Sequence, residues 1–164
     1  MTENSEIILS TPEMLQAAMI GIIRQIQNLE ANRQPTYGSG GGPLWQMHIE
    51  GAMGECAVAK YRGVYWNGNV GNLHAQDVGK YQVRTGAGDN YRLILHPEDK
   101  NEDVFILVTG EYGKYNIRGW LWAFEGKIPK FWEDPSGKNR PAYFVDQTHL
   151  HPMETLPSLS AFEN

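Results

Sequence analysis

The sequence lacks the means to form a disulfide or to cross a membrane as a helix. Its 164 residues include a single cysteine, Cys56, so no internal disulfide can form, and we expect a reducing, cytoplasmic compartment. The apolar runs are far shorter than the roughly 20 residues of a membrane span, so we expect no membrane partner. The first residues, MTENSEIILSTPE, lack a basic start and a long apolar run, and we expect no secretory signal there.

Positive charge is also scarce. The chain has 14 Lys and Arg residues against 19 Asp and Glu residues, which gives a formal net charge of −5. This balance argues against a broadly basic surface that coats nucleic acid, although a local basic groove or a metal ion can still offset phosphate charge. The glycine-rich run GSGGGP is not followed by Lys-Ser or Lys-Thr. It therefore predicts a linker and not a phosphate-binding loop.

The length and the apolar pattern predict one domain over residues 1–164. An N-terminal helix is expected over 11–34, with Thr11 as its N-cap and Pro12 at the first helical position. A glycine-rich link over 35–43 follows it. The apolar residues of this helix recur at helical spacing and form one broad stripe: Met14, Leu15, Ala18, Ile22, Ile23, Ile26 and Leu29.

A second helix is expected over residues 43–61, and it contains Gly51 and Gly54. Each glycine costs a helix about 1 kcal/mol relative to alanine, which suggests that this helix approaches a sheet closely. Segments typical of strands, each bounded by turn residues, follow at 81–85, 91–96, 103–110, 116–126 and 142–150. The order of elements predicts an α/β (α+β) fold with a central mixed β-sheet flanked by the N-terminal helices.

Polar side chains cluster around the first of these strands, in the string DVGKYQVRT. Because side chains alternate along a strand, Lys80, Gln82 and Arg84 share one face. Asp77 precedes the strand by a Val-Gly step that can turn the chain sharply, which would bring its carboxylate toward that face. Oxygen ligands gathered at one point suit a divalent cation, and a neighbouring cationic side chain stabilises a developing negative charge.

The positions of Asp77, Gln82 and Arg84 resemble the motif of the PD-(D/E)XK nuclease superfamily. In that motif an Asp is followed, after a short gap, by Glu, Asp or sometimes Gln, then any residue, then Lys. A helical Glu often joins the family's site, and Glu55 in GAMGECAVAKYRG matches it. Glu50 is a second candidate, which lies about 140° around the helix from Glu55.

The resemblance implies a restriction-endonuclease-like core over residues 44–125, of the small phage or bacterial type. Residues 126–164 then form a C-terminal loop and strand. The implied activity is metal-dependent cleavage of DNA phosphodiester bonds, in the host cytoplasm if the chain is phage-encoded. Mg²⁺ or Mn²⁺ would be held by Asp77, Glu55 and the Gln82 carbonyl, and Arg84 would neutralise charge as the transition state forms.

This sequence departs from the family motif at two positions. Gln82 supplies an oxygen ligand without charge, and Arg84 is a poor proton shuttle because it stays protonated. Lys80 and Lys60 are candidates for the role of the missing lysine. The alternative function is a catalytically inactive module of the same fold that binds nucleic acid or a partner protein in a phage accessory or structural role. A structural or assembly factor without a small-molecule site is a third option, and a protein partner or a homo-oligomer stays open.

Simpler interpretations of the acidic residues stay open. Asp77 can cap its own turn through the backbone, and Glu55 can pair with Lys60 or Arg62 on the same helix.

The C-terminal part of the sequence carries a weaker metal signal. His149 and His151 form an HxH pattern on a segment expected to be extended, where both rings would face one metal; the alternative is a polar C-terminal edge. Trp120 and Trp122 are expected to share one sheet face, whereas Trp132 is expected to be exposed.

Overall fold

The computed structural model describes residues 6–33, 43–70 and 76–158. Its helices and strands, in chain order, are β1 Glu6–Ile8, α1 Thr11–Glu30, α2 Leu44–Arg62, β2 Tyr81–Gly86, β3 Leu93–Leu95, β4 Val104–Glu111, β5 Lys114–Trp122, α3 Ala123–Gly126, β6 Trp132–Glu133 and β7 Ala142–Val145. Short 3₁₀ turns lie at Pro129–Phe131, Gln147–His149 and Met153–Thr155. None of the helices in these described ranges has both the length and the apolar character that a membrane span needs.

The two long helices have well-defined ends. Ser10, and not Thr11 as expected, caps α1: its Oγ accepts a hydrogen bond from the Glu13 backbone N–H at 3.4 Å, and Glu13 Oε2 accepts one from the Ser10 N–H at 2.6 Å. This reciprocal pair satisfies two N–H groups that the first helical turn leaves without partners. The expected helix over 11–34 was too long, because α1 ends at Glu30. The link over 35–43 falls outside the described residues except for Pro43.

The strands form two sheets. The four-stranded sheet has the order β1-β5-β4-β2, in which β2 runs parallel to β4 and the other pairs are antiparallel. The three-stranded sheet has the order β3-β7-β6 and is antiparallel. The predicted α+β class, with a mixed sheet flanked by N-terminal helices, is confirmed.

Strand β4 is buried on both faces, as its continuous apolar run indicates. Val104, Ile106 and Val108 belong to the core cluster that contains α2. Phe105 and Leu107 point to the other side, into a second cluster formed with the three-stranded sheet. Alternation therefore also assigns the faces of β2: Tyr81 and Val83 join the α2 cluster, and the side chains between them point away from it.

The expected close approach of α2 to the sheet is found at Gly54. A Cβ atom at that position would lie 2.0 Å from Oγ1 and 3.0 Å from Cβ of Thr85 on β2, so only glycine allows this contact. No close contact requires glycine at position 51, because a Cβ atom on Gly51 would meet nothing within 4 Å.

Helix α1 packs on α2 through small or polar residues. Ala17, Gly21 and Gln25 are buried, and a Cβ on Gly21 would lie 2.6 Å from the backbone oxygen of His48. The apolar stripe predicted from the sequence contributes Met14 and Ala18 to the edge of the core. Most of its larger members face away from α2.

Three of the expected strands differ from the observed ones. Only Leu93–Leu95 of the expected strand 91–96 is extended and paired. The expected strand 116–126 begins earlier, at Lys114, and ends at Trp122, after which α3 begins. The late strand is confirmed only for Ala142–Val145. Turn residues and capping groups shortened these elements where apolar content alone suggested longer ones.

Candidate functional site

Glu55 is buried between the two long helices. Arg24 of α1 donates to both of its oxygens, from Nη1 to Oε1 at 2.6 Å and from Nη2 to Oε2 at 3.0 Å. Trp66 Nε1 also donates to Oε2, at 3.2 Å. The backbone oxygen of Asn69 accepts from Arg24 Nε at 3.0 Å and fixes the guanidinium. The partners of Glu55 in the described residues are thus Arg24 and Trp66, and not the Lys60 or Arg62 that the sequence suggested.

The surroundings of Glu55 favour its neutral form. Burial and the nearby Asp77 carboxylate raise its pKa, the charge of Arg24 and the hydrogen bonds from Arg24 and Trp66 lower it, and the net result is a pKa of about 7. A buried carboxylate loses the solvation that stabilises its charge. The two acids therefore lie within electrostatic reach of each other, as the predicted site requires.

Asp77 lies along the outer edge of β2, the last strand of its sheet. Its Oδ2 accepts a hydrogen bond from the Val83 N–H at 2.7 Å, and its own N–H donates to the Tyr81 oxygen at 3.0 Å. Gly79, with φ of 58°, makes the turn, and Lys80 follows it in a half-buried position. The carboxylate thus has the backbone-capping role that the simpler interpretation gave it.

The charges of two arginines also act on Asp77. Burial raises its pKa, whereas the Val83 N–H and the charges of Arg84 and Arg24 lower it. Both arginines therefore lie within electrostatic reach of Asp77.

Gln82 and Arg84 share a face of β2, as their spacing predicted, but this face points away from α2. Arg84 Nη2 donates to both oxygens of Asp99, at 3.1 and 3.2 Å, and its guanidinium lies 4.7 Å from the centre of the Phe105 ring. Gln82 hydrogen-bonds to the side chain of Asp103. The amide and the guanidinium thus belong to the side of the sheet that faces β3 and β7.

The auxiliary residues have structural partners elsewhere. Glu50 accepts a hydrogen bond from the Tyr115 hydroxyl, on a different side of α2 from Glu55, as the helical spacing predicted. Lys60 Nζ donates to Glu13 Oε2 at 2.8 Å and helps to hold the start of α1. Neither residue is placed beside Asp77 by these contacts.

The residues as arranged do not fit a Mg²⁺ or Mn²⁺ site. Such an ion needs several oxygen ligands directed at one point. Both Glu55 oxygens accept from Arg24, Asp77 Oδ2 accepts from a backbone N–H, and Gln82 lies on the other face of the strand. Within residues 6–33, 43–70 and 76–158, no group of three or more His, Cys, Asp or Glu side chains is arranged to hold a metal ion.

A cleft of about 330 Å³ opens on the Arg84 side of the sheet. We call it the Arg84 cleft; its lining includes Arg84, Arg140, Tyr91, His96 and Phe144, and no Asp or Glu is among the described residues that line it. Burial and the charge of Arg84 lower the pKa of His96, so this imidazole is neutral at pH 7.

Sequence reasoning identified Arg84 but missed the other lining residues. Arg140 and Phe144 come from an irregular loop and a short strand late in the chain, where no motif marks them. Only the three-stranded sheet brings them opposite β2, through the pairing of β3 with β7. The one available signal was the local excess of basic and aromatic residues in GKNRPAYF.

The two C-terminal histidines do not face a common point. The prediction that this segment is extended is wrong for its first histidine, because Gln147–His149 forms a 3₁₀ turn. His149 Nε2 lies 2.9 Å from Lys130 Nζ, whereas His151 Nε2 lies 2.9 Å from Glu125 Oε1. Each ring thus has its own partner.

Comparisons of the chain with protein-family models, with curated protein sequences and with solved structures found no match. The resemblance to the PD-(D/E)XK superfamily therefore stays a prediction, which depends on Glu55, Asp77, Gln82 and Arg84 and on the order of the elements around them.

Proposed function

We propose that this chain is a nuclease-related module that binds nucleic acid through the Arg84 cleft without cleaving it. The proposal rests on one observation: the acidic residues of the motif and its basic residue have different surroundings. Its acidic half, Glu55 and Asp77, is engaged by Arg24 and by a backbone N–H. Its basic residue, Arg84, lines an accessible cleft together with a second arginine, Arg140.

The chemistry of the Arg84 cleft suits a nucleotide. Arginine presents a planar fork of donors that matches phosphate oxygens. The rings of Tyr91 and Phe144 offer surfaces on which a base can stack, an interaction that tolerates any base sequence. The cleft volume of about 330 Å³ is at the lower end of the range for small-ligand sites, about 300–1,000 Å³, which suits a single nucleotide of a strand.

The net charge of −5 makes the local character of this cleft important. A strand of nucleic acid is repelled by the chain as a whole, so binding depends on a locally basic patch. Asp99 pairs with Arg84 and offsets its charge, although Asp99 is not among the described lining residues of the cleft. The positive charge of the cleft therefore depends mainly on Arg140.

The experiment is a titration of fluorescently labelled single-stranded and duplex DNA with the full chain, in metal-free buffer at two salt concentrations. We expect Arg140→Ala to weaken binding several-fold and to reduce the salt dependence by about one counterion. Arg84→Lys tests the motif position while keeping a charge beside Asp99. Arg33→Ala is the matched control, because Arg33 is an exposed arginine shortly after the end of α1. Unchanged affinity in both cleft variants would overturn the proposal.

Metal-dependent cleavage is the second candidate. One observation favours it: Asp77 lies within electrostatic reach of both Glu55 and Arg84. It predicts cutting of DNA in the presence of Mg²⁺ or Mn²⁺ that Asp77→Ala abolishes. The binding module predicts no cutting with either metal and unchanged DNA affinity in Asp77→Ala, so one set of proteins separates the two functions.

A cytoplasmic setting is part of the proposal. Cys56 is a buried free thiol, and burial raises its pKa to about 11. The thiol therefore stays protonated at neutral pH and is a packing residue, not a nucleophile. A lone thiol of this kind is typical of proteins that fold in a reducing compartment.

A further inference from the structure

Helix α1 presents a large apolar surface on the side opposite α2. We call this surface the outer face of α1. Its members, with their exposed fractions, are Leu15 62%, Met19 54%, Ile22 38%, Ile23 37%, Ile26 41% and Leu29 58%. The buried side of the same helix carries Ala17, Gly21 and Gln25, so the helix packs its small residues inward and its large apolar residues outward.

A helix on the surface of a monomeric protein normally has the reverse arrangement. Single exposed apolar residues are ordinary, but a contiguous group on one helix marks an interaction surface. Charge is missing from this surface as well. Between Met14 and Leu29 the only charged residue is Arg24, and its guanidinium is turned inward to Glu55.

The spacing of the outer face indicates what covers it. Leu15, Met19, Ile22, Ile26 and Leu29 follow one another at intervals of four, three, four and three residues, which is the spacing of a coiled-coil seam. Such a seam packs best against another helix with the same spacing. Helix α2 of the same chain is not available to cover this face, because its residues 52–59 are buried in the core. A second copy of α1 offers the matching seam.

We propose that a second copy of this chain binds the outer face through its own α1, with the two helices antiparallel and the twofold axis between Met19 and Ile22. An isologous contact of this kind needs only one self-complementary surface. In this arrangement Leu15 of one copy faces Ile26 of the other, and Met19 faces Ile22.

Electrostatics favours this occupant and this orientation. The uncharged face lets two chains of net charge −5 meet without like charges at the centre, whereas a phosphate backbone would find no cation there. The antiparallel arrangement also brings Glu30 of one copy beside the first helical turn of the other, where the helix dipole favours negative charge and where the charge of Glu13 is offset by Lys60. A parallel pair would bring Glu30 beside Glu30.

The size of the outer face sets the strength of the dimer. Residues 15–29 extend over about 21 Å of helix, which gives a contact strip well below the roughly 800 Å² per partner of a standard interface. We therefore expect a reversible dimer whose population depends on protein concentration.

Sedimentation of the full chain over a hundredfold range of concentration tests the proposal. The unmodified chain should pass from monomer to dimer, and Ile22→Glu should stay monomeric throughout with an unchanged far-UV CD spectrum. Gln16→Glu is the matched control, because it adds the same charge at an exposed position of α1 outside the outer face. It should dimerise like the unmodified chain.

Oxidative cross-linking tests the orientation. A mixture of Leu15→Cys with Ile26→Cys should give mainly the mixed dimer. Cys56 does not interfere because it is buried. Self-dimers of Leu15→Cys and Ile26→Cys in place of the mixed one would overturn the antiparallel arrangement.

Two results would overturn the second copy as the occupant. One is a monomer at every concentration. The other is a lower melting temperature of Ile22→Glu at dilutions where the unmodified chain is also monomeric. That result would show that the face is covered within the same chain.

Discussion

Glu55 and Arg24 form an ion pair with little access to water: their side chains are 7% and 21% exposed. A buried pair of this kind adds little net stability, because the cost of removing both charges from water offsets their attraction. The pair instead fixes the orientation of α1 on α2, because the guanidinium has to contact both carboxylate oxygens at once. The same pairing withdraws Glu55 from the metal-binding role that the sequence suggested.

The raised pKa of Glu55 predicts how stability depends on pH. The folded chain releases the Glu55 proton only near pH 7, above which the pair with Arg24 is fully ionic, whereas the unfolded chain releases it near the ordinary value of 4.5. The folded state therefore binds more protons between these values, and the free energy of unfolding falls as the pH rises from about 4.5 to about 7. Urea unfolding at a series of pH values measures this slope.

Glu55→Gln should flatten the slope, because the amide does not titrate while it keeps the volume of the side chain and can still accept from Trp66. Glu154→Gln, at an exposed position, is the control that should leave the slope in place. Equal slopes in the unmodified chain and in Glu55→Gln would show that another group controls the pH dependence.

At the scale of elements, the two glycines of α2 predict opposite effects of one substitution. Gly51→Ala should raise the free energy of unfolding by about 0.5–1 kcal/mol, because alanine is the better helix former and nothing obstructs its methyl group. Gly54→Ala should lower it by about 1–3 kcal/mol, because the added methyl group overlaps Thr85. Chemical denaturation of the two variants beside the unmodified chain gives both values.

The contact with Thr85 can be isolated with a double mutant. Thr85→Ala removes Oγ1, the atom that a Cβ on Gly54 would approach to 2.0 Å. Gly54→Ala should therefore cost less in the Thr85→Ala background than in the unmodified chain. An equal cost in both backgrounds would mean that the steric overlap with Thr85 is not the cause.

At the scale of the whole molecule, the C-terminal segment, residues 147–158, is hydrogen-bonded to two strands of the four-stranded sheet. His151 and Trp120 exchange two backbone hydrogen bonds, at 2.8 and 3.0 Å, and Trp120 Nε1 donates to the Pro152 oxygen at 3.0 Å. The Tyr81 hydroxyl donates to the Pro157 oxygen, which ties the same segment to β2. Trp120 is buried, as is typical of a tryptophan that fills space and also satisfies a polar partner.

Trp120→Phe should loosen this segment. The smaller ring removes the donor to Pro152 and leaves a gap, and we expect a loss of about 1–3 kcal/mol in the free energy of unfolding. Limited proteolysis should then cut faster within residues 147–158.

Trp132→Phe is the control for this substitution. Trp132 is 43% exposed. The free energy of unfolding of Trp132→Phe should therefore differ from that of the unmodified chain by no more than about 0.5 kcal/mol. Equal proteolysis of both variants would contradict the role given to Trp120.

Local pattern was enough to find the elements. The 3.6-residue periodicity of α1, the double-sided apolar run of β4 and the alternation that puts Gln82 and Arg84 on one face all depend on residues within a few positions of one another. The prediction that Trp120 and Trp122 share a face is consistent with their common cluster, and Trp132 is exposed as expected.

Only the tertiary structure decided which groups meet. Arg24 reaches Glu55 across 31 positions of sequence, and no local pattern selects it over Lys60 or Arg62. Packing between distant elements also turns the apolar stripe of α1 outward. The same kind of packing places Arg140 opposite Arg84. Backbone preferences act between neighbours, whereas charge pairing, cleft formation and the facing of a helix depend on how distant elements pack together.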